Sequence, residues 1–232
     1  MKKIKIFKFG GASIKDGEDV KNLCKITQNQ YNKDNLLIVI SAMGKTTNAL
    51  EKLFDAYYQN KDYQSHLKKI KEYHLSITKE LFPNPESPIF NILTQLFIQL
   101  EEQLIIPNQR SYNEGYDQVI SYGELFSSKI ISEYLIQQHI YCQWIDSRKY
   151  IQTDNSWREA KINWAQTENL IKRDIPKLLN KGVVLTQGFI GGTSPPLTTS
   201  LPESEKRGIG ETERKKTRRF TDSPIHRFTD SL

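Results

Sequence analysis

Five apolar residues in a row, Leu36-Leu37-Ile38-Val39-Ile40, leave this chain little choice of architecture. The run is short, holds β-branched members and has no polar face to offer water, so it reads as a strand buried on both sides. Such strands belong to parallel sheets, whose crossovers carry helices onto the faces. The flanks agree. Ile4 to Phe9 alternates apolar and basic residues and runs into Gly10-Gly11, a strand ending in a tight turn. Val20, Leu23, Cys24, Thr27 and Tyr31 then recur at helical spacing, as do Leu50, Leu53, Phe54, Tyr57 and Tyr58 beyond the buried run. The first third is therefore β-α-β-α, which predicts an α/β fold with helices packed on a parallel sheet.

The middle of the chain predicts helices. Lys61 to Leu81 is polar and amphipathic and is broken by Pro83, Pro85 and Pro88. Ile89, Leu93, Leu96, Phe97, Leu100 and Leu104 form an apolar stripe stopped by Pro107, and Tyr122 to Gln138 forms another, with Leu125, Phe126, Ile130 and Tyr134 inward. Stripes of this kind are core, because an apolar face must be buried against something. Ile140 to Ile145 predicts a strand, Trp164 to Leu179 a helix that Pro176 kinks or splits, and Gly182 a helix stop. Val183 to Thr186 is a second buried-type strand, with Gln187 to Gly192 as its loop. From about residue 202 apolar periodicity vanishes, and Arg219-Phe220-Thr221-Asp222-Ser223 recurs as Arg227-Phe228-Thr229-Asp230-Ser231. Two such short units cannot build a core, so residues 202–232 are expected to be a disordered basic tail.

Charge and cysteine usage exclude several classes. The net charge is +6, but the excess of lysine is diffuse and no reader motif accompanies it, which argues against nucleic-acid recognition. The densest basic run, Arg214 to Arg219, lies in the tail, where a polyanion-binding module is the competing reading. Cys24 and Cys142 stand far apart, as in a reduced cytoplasmic protein. No apolar run approaches the roughly 18 residues of a membrane span, and no apolar segment follows Met1-Lys2-Lys3 as a signal peptide requires. The four histidines are scattered, and no residues are spaced to ligate a metal.

Three segments could carry chemistry. In Lys8-Phe9-Gly10-Gly11-Ala12-Ser13 a strand turns on paired glycines, which let backbone N–H groups approach a phosphate; the turn and helix start that follow are expected to favour anions, and the lysine adds a full charge. An ordinary strand-to-helix turn has the same spacing. Ser41-Ala42-Met43-Gly44-Lys45-Thr46-Thr47-Asn48 follows the buried strand; it is no P-loop, because Val39 stands where the earlier glycine should be. It is a hydroxyl-rich loop at the carboxyl end of a parallel strand, where open α/β sheets bind ligands, or else a helix start capped by Thr46 or Thr47. In Ser121-Tyr122-Gly123-Glu124-Leu125, Glu124 opens a helix, either as a first-turn acid favoured by the helix dipole or as a partner for a substrate ammonium.

The order of these segments is more telling than any one of them. Together with Trp144-Ile145-Asp146-Ser147-Arg148 and Thr186-Gln187-Gly188-Phe189-Ile190-Gly191, they resemble the aspartate kinases over roughly residues 2–201. The resemblance implies the three-layer αβα, mainly parallel amino acid (carbamate) kinase fold, incomplete on its C-terminal side, with residues 1–201 forming the substrate-binding half of a catalytic domain. It also implies phosphoryl transfer from ATP, with Mg²⁺, to the β-carboxylate of L-aspartate, a cytoplasmic step toward lysine, threonine and methionine. By that resemblance Lys8 is catalytic; Lys8, Gly10, Gly11 and Ser13 hold the ATP phosphates; and Ser41, Thr47, Glu124, Phe189 and Gly191 hold aspartate. Intact members associate as homo-oligomers through later domains.

The pattern then departs from the family. Thr198-Thr199-Ser200-Leu201 still echoes it, but Pro202-Glu203-Ser204-Glu205 stands where Gly-Arg-Glu-Gly-Ser-Asp is expected, with the arginine for the aspartate α-carboxylate. A reading-frame change or truncated gene would produce such a switch. The expectation is a chain with little or no turnover and uncovered sheet edges prone to association. A non-catalytic, small-ligand-binding remnant is the alternative.

Overall fold

A computed structural model describes residues 3–105 and 110–193 and the backbone of 198–200. Its centre is a four-stranded, all-parallel sheet in the order β1-β2-β4-β3, formed by β1 (Ile4–Phe9), β2 (Asn35–Ile40), β3 (Cys142–Trp144) and β4 (Val183–Gln187). The continuous apolar run is β2, an interior strand as its composition demands. Its alternate residues serve two cores: Leu36, Ile38 and Ile40 face one, and Leu37 the other.

The larger core is roofed by α1 (Gly17–Tyr31), α2 (Thr46–Tyr58), α3 (Gln64–Leu81), α4 (Pro88–Ile105), α5 (Tyr112–Ile120) and α6 (Tyr122–Gln137). The smaller core is closed by α7 (Trp164–Leu179) through Ile171, Ile175 and Leu179. Helices on both faces make the three-layer αβα arrangement. Registry decides where its strands stop. Phe9 pairs with Ile40, and Ile40 with Gln187, so β1, β2 and β4 end side by side and their three following loops emerge at one edge of the sheet.

Several elements differ from the sequence expectation. Gln187 to Gly192 is not all loop: β4 extends through Gln187, and β5 (Ile190–Gly192) pairs antiparallel with β6 (Thr198–Ser200). β3 is shorter than Ile140 to Ile145. Helix α7 runs unsplit through Pro176, which sits in its last turn, where only one hydrogen bond is forfeited. It is capped at Asn180 rather than stopped by Gly182. α5 lacked an apolar stripe strong enough to announce it. α6 is buried nearly all round, with Ser127, Ser128 and Ser132 wholly enclosed, so its core-facing surface is far wider than a stripe. Pro107, Leu201 and the 202–232 tail lie outside the described residues.

Candidate active site

The site is built from the three loops that leave the aligned strand ends. After β1 the chain makes a single turn of 3-10 helix at Gly11–Ser13. Gly11 is pressed against the loop after β2: a Cβ there would lie 2.4 Å from the Ala42 carbonyl oxygen, so only glycine fits. The Gly44 N–H donates to the Gly11 carbonyl at 3.0 Å, and Gly44 itself takes φ +52°, the left-handed region open to glycine. The Ser41 N–H donates to Phe9 O, and the Gly188 N–H to Ile40 O, which continues the ladder one residue past the strands.

Between these loops and the start of α6 lies a cleft of about 320 Å³, within the range of small-molecule sites. Lys8, Gly10, Gly11, Ser41, Thr47, Glu124 and Phe189 all line it, joined by Ala12, Ala42, Gly44, Ile120, Ser121 and Ile190. Ser13 and Gly191 do not. The 3-10 turn carries Ser13 to an exposed position. Gly191 is buried in β5 against Ile151 and Thr153, while its neighbour Ile190 takes the place in the wall.

The electrostatics separate these residues from their ordinary readings. Lys8 has no acidic partner among the described residues, and burial lowers its ammonium to a pKa of about 8. A half-buried, unneutralised cation is primed for an anion. Its Nζ lies 4.2 Å from the centroid of the Phe189 ring, and Phe189 holds φ +59°. For a bulky side chain that conformation costs about 1–3 kcal/mol, a strain that collects at functional sites. Ser41 Oγ is buried at the cleft wall without a hydrogen-bond partner among the described residues. Glu124 is buried in the first turn of α6, not solvated as a helix-dipole acid would be.

The helix starts divide the charge. α1 is capped by Asp16, whose Oδ1 accepts from the Asp19 N–H at 2.9 Å, and Glu18 and Asp19 fill its first turn. That end repels anions, contrary to the expectation that the helix after the glycine turn would attract them. The first turn of α2 holds neither acid nor capping side chain, and its Thr47 is the one in the cleft. Thr46 does not cap; its hydroxyl donates back to the Met43 carbonyl at 2.6 Å.

Serines on α6 fix the cleft's width. Ser127 Oγ donates to the Ser41 carbonyl at 2.7 Å. Ser128 Oγ accepts from Gln187 Nε2 and from Trp144 Nε1, each at 3.0 Å. The Gln187 amide oxygen in turn accepts the Ser147 N–H at 2.9 Å, and Ser147 Oγ donates to the Ile190 carbonyl at 3.1 Å. The helix that carries Glu124 is thus tied to the ends of β2, β3 and β4. Nothing in the sequence marked Ser127 and Ser128 except that they follow closely on Ser121-Tyr122-Gly123-Glu124-Leu125. His74 plays no part: it is wholly buried in the core, and burial holds its imidazole neutral with a pKa of about 4. Among the described residues no group of three or more His, Cys, Asp or Glu could hold a metal.

An open parallel sheet with a lysine-bearing cleft at its carboxyl edge has the arrangement in which α/β domains bind ligands. The model of the amino acid kinase family matches residues 3–212, and the chain belongs to that family. Its similarity runs to aspartokinases. It is 28% identical over 202 residues to the lysine-sensitive aspartokinase 3 of Escherichia coli (strain K12), covering 87% of this chain and 44% of that enzyme. It is 24% identical to a chloroplastic bifunctional aspartokinase/homoserine dehydrogenase 2 of Arabidopsis thaliana, covering 84% of this chain and 22% of that protein. Among solved structures it superimposes on E. coli aspartokinase III in complex with lysine and aspartate with a TM-score of 0.76 at 26% identity, covering 89% of this chain and 44% of that one. The same enzyme with aspartate and ADP gives 0.73, with 86% and 43% covered. The chain therefore spans less than half the length of the relatives it matches. No described helix is long and apolar enough to cross a membrane.

Proposed function

We propose that this chain forms the aspartate- and phosphate-binding half of an aspartokinase, which presents the β-carboxylate of L-aspartate to the γ-phosphate of ATP. What supports it is the meeting of Lys8, the Gly10-Gly11 turn, Thr47 and Glu124 in one cleft, in a chain similar to enzymes solved with aspartate and ADP. A carboxylate nucleophile is already ionised at pH 7, so the reaction asks for no general base, and a cleft without histidine suits it. The difficulty is bringing one anion to a polyanion, which is eased by cations and N–H donors aimed at the developing charge.

In this reading Lys8 and the glycine-turn N–H groups face phosphate oxygens, with Ser13 at the outer end of that turn. Ser41 Oγ and Thr47 face the substrate carboxylate, Phe189 and the β4–β5 turn that runs on to Gly191 form the opposite wall, and Glu124 receives the substrate ammonium. The described residues place one carboxylate, Glu124, in the cleft lining, too few for a protein-made magnesium cage. Mg²⁺ would come bound to the nucleotide phosphates and neutralise their charge. The free, buried Cys24 and Cys142 suit a cytoplasmic enzyme.

Turnover is a separate matter. Losing one preorganised donor commonly lowers a rate by about 10²–10³. The Pro202-Glu203-Ser204-Glu205 stretch offers no arginine for the α-carboxylate. We expect saturable L-aspartate binding in calorimetry together with aspartate-dependent ADP release at or near the blank. Full-rate ADP release would overturn the inactivity; absence of aspartate binding would overturn the substrate assignment and favour a remnant for some other small ligand.

A further inference from the structure

The β4–β5 turn presents a puzzle that the substrate assignment does not resolve. Phe189 sits at φ +59°, a conformation in which glycine is at ease, and its neighbours Gly188, Gly191 and Gly192 show that glycine is freely used in this segment. A large aromatic residue held there against its backbone preference must be held by what its ring does. The ring's close charged neighbour is the Lys8 ammonium, 4.2 Å from its centroid. That ammonium has no acidic partner among the described residues, and Glu124 is the carboxylate in the cleft wall.

We propose that Phe189 is a positioning residue for Lys8: its ring face holds the ammonium over the cleft before an anion arrives and keeps it protonated there. The inference rests on the phosphate-binding reading of the cleft and assigns one component of it. The physics is direct. A quadrupolar ring attracts a cation, most strongly when water is excluded. A lysine stem is otherwise free to sample many rotamers, so a ring that fixes its head lowers the ordering cost when a phosphate binds from the other side. Desolvation pulls the Lys8 pKa down to about 8, and the ring opposes that pull. Leucine keeps much of the apolar cover over the ammonium but not the ring's quadrupole, so in Phe189→Leu desolvation acts without that opposition and the pKa is expected to fall further.

The test uses the full chain. Competitive acetylation of Lys8 against pH, read by mass spectrometry, gives its pKa in the wild type and in Phe189→Leu, Phe189→Tyr and Phe189→Trp. The expected result is a fall of about half to one unit in Phe189→Leu, a wild-type value in Phe189→Tyr, and an equal or higher value in Phe189→Trp. A Leu variant with an unchanged pKa, or a Trp variant that falls as far as the Leu variant, would overturn the proposal. If the Leu variant fails to fold, the Tyr and Trp values decide alone: both at or above wild type supports it, and either one clearly below refutes it. A second arm adds inorganic triphosphate as the probe. Protection of wild-type Lys8 from acetylation, needing several-fold more triphosphate in Phe189→Leu at about pH 8, is expected. Failure of triphosphate to protect wild-type Lys8 would sink the phosphate reading, whereas the ring's hold on Lys8 is judged by the pKa alone.

Discussion

Lys8 sets the behaviour of the cleft at the scale of single residues. Its ammonium is half-buried with a pKa of about 8, so it is charged below that pH and neutral above it. An anion that needs the charge binds fully below about pH 8 and loses affinity as pH rises through it, by about tenfold per unit. Calorimetric titration of inorganic triphosphate from pH 7 to 9.5 should show this fall, and Lys8→Met should bind weakly at every pH with the slope gone. A wild-type affinity flat across that range would contradict it. That Lys8, Thr47 and Glu124 come together in one cleft was legible in the sequence because the order of their motifs is specific even where each motif is not. Ser13 was not placeable, because whether a residue after a glycine turn looks inward depends on the 3-10 turn that forms there. Gly191 stands one residue from the cleft lining: alternation along β5 puts Ile190 in the wall, and that alternation appears only once β5 pairs with β6. The backbone strain at Phe189 left no mark in the sequence.

Among elements, α6 matters most, because it joins three strand ends and carries Glu124. Its Ser128 hydroxyl accepts two side-chain N–H groups, from Gln187 and Trp144, inside the fold. Ser128→Ala leaves those donors short of an acceptor, at a cost of about 1–3 kcal/mol. Urea denaturation should show a midpoint lowered accordingly with an unchanged slope; an unmoved midpoint would mean the network contributes nothing. The sheet and the apolar helices were readable because periodicity reports burial. α6 was only half readable. Its serines look polar in sequence, but small hydroxyls that bond back to their own helix or to a neighbouring strand can be packed inside, and sequence does not say which will be. α5 and the β5–β6 pair were missed for a related reason: short elements take their identity from partners distant in sequence.

For the whole molecule, the loops after β1, β2 and β4 converge because registry ends those strands together, so the cleft is a property of the sheet and not of any one motif. The edges of the four-stranded sheet are β1 and β3. β1 interleaves Lys5 and Lys8 with apolar residues, which tempers the edge-to-edge pairing that an uncharged strand would invite. The central claim is that Glu124 and Lys8, which line one cleft, act on a single bound amino acid and its phosphate donor. Titrating L-aspartate into the wild type and Glu124→Gln by calorimetry tests it most directly. A buried charge-assisted bond to the substrate ammonium predicts about a tenfold loss of affinity in Glu124→Gln, read at a temperature where both proteins are folded. Equal affinity in the two proteins would show that aspartate does not meet Glu124, and the cleft would lose its assigned substrate.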